Sequence, residues 1–175
     1  MSSPSPQAGK LTARDAAQLG LMAALMVTTQ LALSFIPNVH LTAVLIVVTA
    51  VTFGWSAMYS VGVYVFIEGL MYGFGIWWFS YLYAWPILCA AAVLLARRRL
   101  PPLMWAVVTG AHGLVFGALF ALPYIFISGV KAAAAYWISG IPFDIIHCVS
   151  NFTLTAVLVN PLISVAQRLR GTPQV

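Results

Sequence analysis

An aspartate, a histidine and an asparagine stand at positions 144, 147 and 151, inside the last long apolar stretch of the chain. A helix with about 3.6 residues per turn carries Asp144, His147 and Asn151 on one face. Lipid offers them no partners, so such a stripe points into a bundle or a wet cavity. A carboxylate, an imidazole and an amide side by side can orient a polar ligand or move a proton. Plainer roles exist for each. Gly140 and Pro142 should break or bend the helix start, and Asp144 could then cap the resumed helix. His147 could be a packed, satisfied histidine, and Asn151 could bridge two helices.

A second acid, Glu68, lies in another apolar stretch, one turn from both Tyr64 and Tyr72. A lone glutamate among apolar residues pairs, takes a proton or lines a cavity. His40, His147 or a ligand donor could be its partner. Aromatic residues gather around the two glycines of the stretch 73–80, with Trp77 and Trp78 inside it and Tyr81, Tyr83 and Trp85 beyond. Single Trp and Tyr residues are ordinary interfacial anchors. Their concentration in one glycine-interrupted stretch suits a flat, amphipathic small molecule. His112, Phe116 and Phe120 share a helical face, and His112 reads as structural.

The elements that position these residues follow from composition. Of 175 residues, 62% are hydrophobic and 6% charged, and the mean hydropathy is +0.99. That is too little charge to cover a soluble domain, so the expected class is all-α, a polytopic membrane protein forming one domain. The net charge of +5 is spread over segment ends rather than gathered on a face, which reads as a topology signal and not as a nucleic-acid surface. Cys89 and Cys148 fall in apolar segments without disulfide or metal spacing and read as free thiols. The Ser- and Pro-rich start reads as a disordered tail and not as a signal peptide.

Six spans are expected in one bundle, over residues 15–36, 41–53, 57–72, 81–96, 103–127 and 135–166, with loops over 73–80 and 128–134. The domain then covers residues 14–168, between a tail of 1–13 and a short tail of 169–175. Spans two and three fall short of the roughly 20 residues of a straight crossing, so four crossings plus a re-entrant pair is an alternative. With six crossings, Lys10, Arg14, Arg97, Arg98, Arg99, Arg168 and Arg170 share one side and Lys131 stands alone on the other. The positive-inside rule makes that basic side, with both termini, cytoplasmic. No internal repeat is visible. Ala16, Gly20 and Ala24 recur every four residues, a spacing that lets another helix approach closely, as do Gly113 and Gly117.

Six short spans, a small-residue face early in the first helix and an outer aromatic cluster together resemble the S components of energy-coupling factor (ECF) vitamin transporters. The resemblance is carried by Glu68-Gly-Leu-Met-Tyr-Gly-Phe-Gly-Ile-Trp-Trp78, by Tyr81-Leu-Tyr-Ala-Trp-Pro86 and by Trp137-Ile-Ser-Gly-Ile-Pro-Phe-Asp-Ile-Ile-His147 with Asn151. It implies a plasma-membrane subunit that binds a vitamin-like solute from outside and delivers it through a T subunit and two ATPases. In that family an Ala-xxx-Ala face of the first helix meets the T subunit, and Ala16, Gly20 and Ala24 are the matching positions. Gly20 departs from the strict pattern. No Walker motif occurs, so the chain itself is not expected to hydrolyse nucleotide.

The expected solute pocket comprises Asn38, His40, Glu68, Tyr72, Trp77, Trp78, Tyr81, Trp137, Asp144, His147 and Asn151, roofed by Trp77 and Trp78, with no metal or cofactor. Two other classes compete. An intramembrane enzyme would use Asp144, His147, His112 and Glu68 as acid–base groups or metal ligands, although no HExxH pair is present. A stand-alone secondary carrier would need no partner and no ATP.

Overall fold

The computed structural model describes residues 11–171. Within them the chain is helical, with no strand: α1 (Ala13–Ala32), α2 (Thr42–Phe53), α3 (Ala57–Tyr72), α4 (Ile76–Ala96) and α5 (Pro102–Arg170). The tail expected over 1–13 lies outside the described residues up to Lys10. Its end is already structured, because Thr12 caps α1. The Thr12 hydroxyl accepts from the Asp15 N–H, and the Asp15 carboxylate accepts from the Thr12 N–H at 3.1 Å, which satisfies two orphan donors of the first turn. At the other end the helix continues to Arg170, so the expected tail of 169–175 shrinks to residues beyond it.

Two glycines turn runs of helix back on themselves. Gly54 has φ 59° and opens a single turn of 3-10 helix, Gly54–Ser56, between α2 and α3. Gly129 has φ 84° and ψ 168° and interrupts α5, which is otherwise helical throughout. Residues with a Cβ rarely adopt either conformation. The α5 segment thus forms a hairpin of two arms, 102–128 and 130–170, whose contacts run in mirror order. A Cβ on Gly110 would meet Phe152, one on Gly113 would meet the His147 carbonyl, and one on Gly117 would meet the Asp144 carboxylate. The small-residue pair Gly113 and Gly117 therefore serves packing inside the chain.

Several sequence expectations are corrected here. The loop of 128–134 is reduced to the break at Gly129, because helix resumes at once. The aromatic loop of 73–80 is reduced to 73–75, and Trp77 and Trp78 stand in the first turn of α4. Gly140 and Pro142 do not interrupt the second arm, since a carbonyl that a proline leaves without its N–H donor can be tolerated in such helices. Asp144 consequently caps no helix start; it lies in mid-helix.

α1 and α3 run parallel, with Ser60 donating to the Leu19 carbonyl at 2.8 Å and Gln30 bonded to Glu68. α2 runs against both: its start meets Gln30 through Thr42, and its end meets Arg170 through the Thr52 carbonyl. Every residue of α2 except Val51 is buried. The bundle closes where the chain ends meet. Arg170 pairs with Asp15 at 3.1 Å and lies 4.7 Å over the Phe53 ring. Arg14 and Gln18 of α1 donate to the Leu169 carbonyl, an orphan acceptor of the last turn of α5. Arg14, Arg97, Arg98, Arg99, Arg168 and Arg170 lie toward this end, and Lys131 lies toward the other.

By length and hydropathy, three helical stretches can cross a membrane: Thr42–Tyr72, Ile76–Ala96 and Pro102–Arg170. The first is folded back at Gly54 and the third at Gly129. Large apolar side chains such as Phe66, Ile87, Leu114, Phe126 and Val157 stand exposed on the outside of the bundle. An exterior of this kind is compatible with lipid as the surrounding solvent.

Candidate functional site

The polar stripe of the second arm faces inward. Asp144 is 6% exposed, and His147 and Asn151 are each 1% exposed. They meet the first arm as successive rungs. At the deepest, the Asn151 Nδ2–H donates to the Thr109 carbonyl at 3.3 Å, and Thr109 Oγ1 lies 2.9 Å from Thr155 Oγ1. In the middle, the missing side chain of Gly113 lets the His147 backbone come close. At the top, the Gly117 N–H donates to Asp144 Oδ1 at 2.9 Å.

His147 is walled by rings: Phe116 at 4.7 Å, His40 at 4.9 Å and Trp85 at 6.4 Å between centroids. His40 arrives from the connection between α1 and α2. That connection is pinned to the second arm by Ser150, whose hydroxyl donates to the Asn38 carbonyl at 2.8 Å, with Asn38 at φ 57°. Asparagine is one of the few residues that accepts this angle. His112 joins the same cluster, 5.5 Å from Trp85 and 5.6 Å from Phe116. Its Nε2 lies 3.0 Å from the Ala84 carbonyl. A carbonyl only accepts, so Nε2 carries the proton, and Nδ1 of a neutral ring is left as an acceptor.

The cluster holds an unusual number of buried polar atoms without a hydrogen-bond partner. They include Asp144 Oδ2, Asn151 Oδ1, His112 Nδ1, His147 Nε2, His40 Nδ1 and the Trp85 indole nitrogen. Native interiors leave few such groups, and each costs about 1–3 kcal/mol when desolvated and unpaired. Their concentration in one place marks a site that needs water or a ligand to be complete. Beside it opens a cavity of about 370 Å³ whose wall includes Asn38, Phe116, Phe120, Tyr136, Phe143 and Asp144. Small-molecule sites commonly have volumes of about 300–1,000 Å³.

The other expected pocket residues divide. Tyr81 stands at the edge of the cluster, with Trp85 at 5.6 Å and Phe120 at 5.7 Å, and Trp77 packs edge-on against it at 5.2 Å. Trp78 does not roof the cavity. Its indole N–H donates to the Val65 carbonyl at 2.8 Å and so ties α4 to α3. Tyr72 and Trp137 are exposed on the bundle surface, and of the expected pocket residues Asn38 and Asp144 line the cavity, while His40, Trp77, Tyr81, His147 and Asn151 do not.

Glu68 is buried in a separate network. It accepts from Gln30 Nε2 at 2.9 Å, while Gln30 Oε1 accepts from the Tyr64 and Thr42 hydroxyls. The partner is thus Gln30, not a histidine. Gln30, Trp85, Phe116 and Gly117 escaped the sequence reading as site residues. Of these, Gly117 and Phe116 had a visible signal, a glycine and an aromatic spaced with Gly113 and His112 on the first arm.

Ala16, Gly20 and Ala24 lie exposed along α1, and a Cβ added to Gly20 would meet nothing within 4 Å. Cys89 and Cys148 are free thiols. Among the described residues no group of three or more His, Cys, Asp or Glu side chains is arranged to hold a metal ion. No protein-family model matches the sequence, and no curated protein or solved structure matches it significantly.

Proposed function

We propose that this chain is the solute-binding membrane subunit of an ECF-type importer, seated in the plasma membrane with six crossings and both termini in the cytoplasm. It takes a vitamin-like solute from outside and passes it on through a T subunit and two ATPases. One observation carries this reading: unpartnered polar atoms are concentrated beside an aromatic-walled cavity, which lies nearer the Gly129 turn than the basic chain ends. A protein that only had to pack would leave fewer of them. The uncovered small-residue face of Ala16, Gly20 and Ala24 supports a docking role for α1, because helices approach closely where side chains are small.

Mass spectrometry of the detergent-purified chain tests the reading. A stoichiometric small molecule, neither lipid nor detergent, should co-purify and should be lost in Asp144→Ala. If preparations from cells grown in rich medium carry no such molecule, the binding role is wrong. Capture of a T subunit by the wild type, and its loss in Gly20→Leu, tests the partner.

A further inference from the structure

We propose that the solute is a flat, positively charged nitrogen compound whose charge is received by Asp144 and whose ring lies against Phe116 and Phe120. This rests on the solute-binding reading and narrows it. The chain has three acids, and two of them are provided for. Asp15 belongs to the Thr12 cap and pairs with Arg170, and Glu68 takes a hydrogen bond from Gln30. Asp144 alone keeps a buried carboxylate oxygen, Oδ2, with no donor. Its Oδ1 is fixed by the Gly117 N–H, so the carboxylate is oriented in the cavity wall before any ligand arrives. No lysine or arginine lines that wall. An anionic solute would meet like charge there, whereas a cation supplies the missing partner.

The shape follows from the walls. Phe116 and Phe120 lie 4.5 Å apart and 30° from parallel, and Tyr136, also in the wall, is stacked on Tyr124 at 4.5 Å. Aromatic faces of this kind attract a delocalised cation over the ring.

Three probes of equal size and shape separate the possibilities: benzamidine, charged at neutral pH; benzamide, neutral; and benzoate, anionic. Binding of each to the purified full chain in nanodiscs is measured by ligand-observed NMR titration. Benzamidine should bind about tenfold or more tighter than benzamide, the scale of a hydrogen bond to a charged group, and benzoate should not bind. Asp144→Asn retains an oxygen for the Gly117 N–H and should erase the preference for the cation while benzamide still binds. Asp15→Asn, at the far end of the bundle, should keep the preference.

Equal or tighter binding of benzamide or benzoate overturns the inference, as does a cation preference that survives Asp144→Asn. If none of the three binds, the inference also falls. The molecule that co-purifies then decides the wider reading: a bound neutral or anionic solute leaves the binding role standing, and no bound solute removes both.

Discussion

Gly117 donates its backbone N–H to Asp144 Oδ1 at 2.9 Å, and the space a side chain would fill at Gly117 is taken by that same carboxylate. One residue thus fixes the acid twice, by a bond and by an absence. Gly117→Ala should push the carboxylate away from its donor and strain the hairpin, lowering stability by about 1–3 kcal/mol. Thermal unfolding in detergent measures the loss, and the co-purified solute should fall with it.

Gly20 offers the opposite case. It lies in mid-helix with open space around its missing side chain, and glycine there is less stable than alanine by roughly 0.5–1 kcal/mol. Gly20→Ala should therefore raise the melting temperature of the isolated chain, and a lower one would show an unseen constraint on α1. Gly20→Leu is the variant that should block a partner helix.

Asn151→Leu separates folding from binding. The substitution keeps the shape of the side chain and removes a buried oxygen that has no partner, together with the Nδ2–H bond to the Thr109 carbonyl at 3.3 Å. The ligand-free chain should lose no more than about 0.5–1.5 kcal/mol, the net scale of one hydrogen bond, while solute retention drops. A large loss of stability without change in binding would reassign Asn151 to structure.

The Glu68 network predicts a different signature. Gln30→Leu withdraws the donor from Glu68 and the acceptor from Tyr64 and Thr42, each a loss of about 1–3 kcal/mol if left unpaired. Unfolding should shift accordingly, and Glu68→Gln in the same background should recover part of it. Probe binding at Asp144 should stay close to wild type.

Gly129→Ala should destabilise by about 1–3 kcal/mol, because φ 84° with ψ 168° is a conformation nearly confined to glycine. Gly140→Ala, a glycine in unbroken helix with nothing within 4 Å of its added Cβ, is the matched control and should not destabilise. Equal effects of the two would mean that the hairpin turn tolerates other angles.

Much of the bundle was legible in the sequence because hydropathy and helix signals agree there. The third span, expected over 57–72, coincides with α3, and the second and fifth differ from the observed helices by single residues. The inward face of Asp144, His147 and Asn151 followed from their spacing together with their polarity in an apolar stretch. Loops were read too long wherever glycine and aromatic residues cluster, as at 73–80, since helix propensity is a weak guide once packing takes over. Two site facts had no local signal. The union of Gln30 with Glu68 joins residues on different helices, and the nearness of His40 to His147 depends on the Ser150 bond to Asn38. Trp78 misled because an indole near a membrane interface looks the same whether it covers a ligand or ties down a neighbouring helix.

α2 has 12 residues and at about 1.5 Å per residue is much shorter than the roughly 30 Å of a hydrocarbon layer. Its neighbours sheathe it on every side but Val51, so its side chains meet protein and scarcely any surrounding solvent. Exchanging Val47 for the near-isosteric threonine would test an ordinary protein interior, although the segment sits at the centre of a greasy molecule.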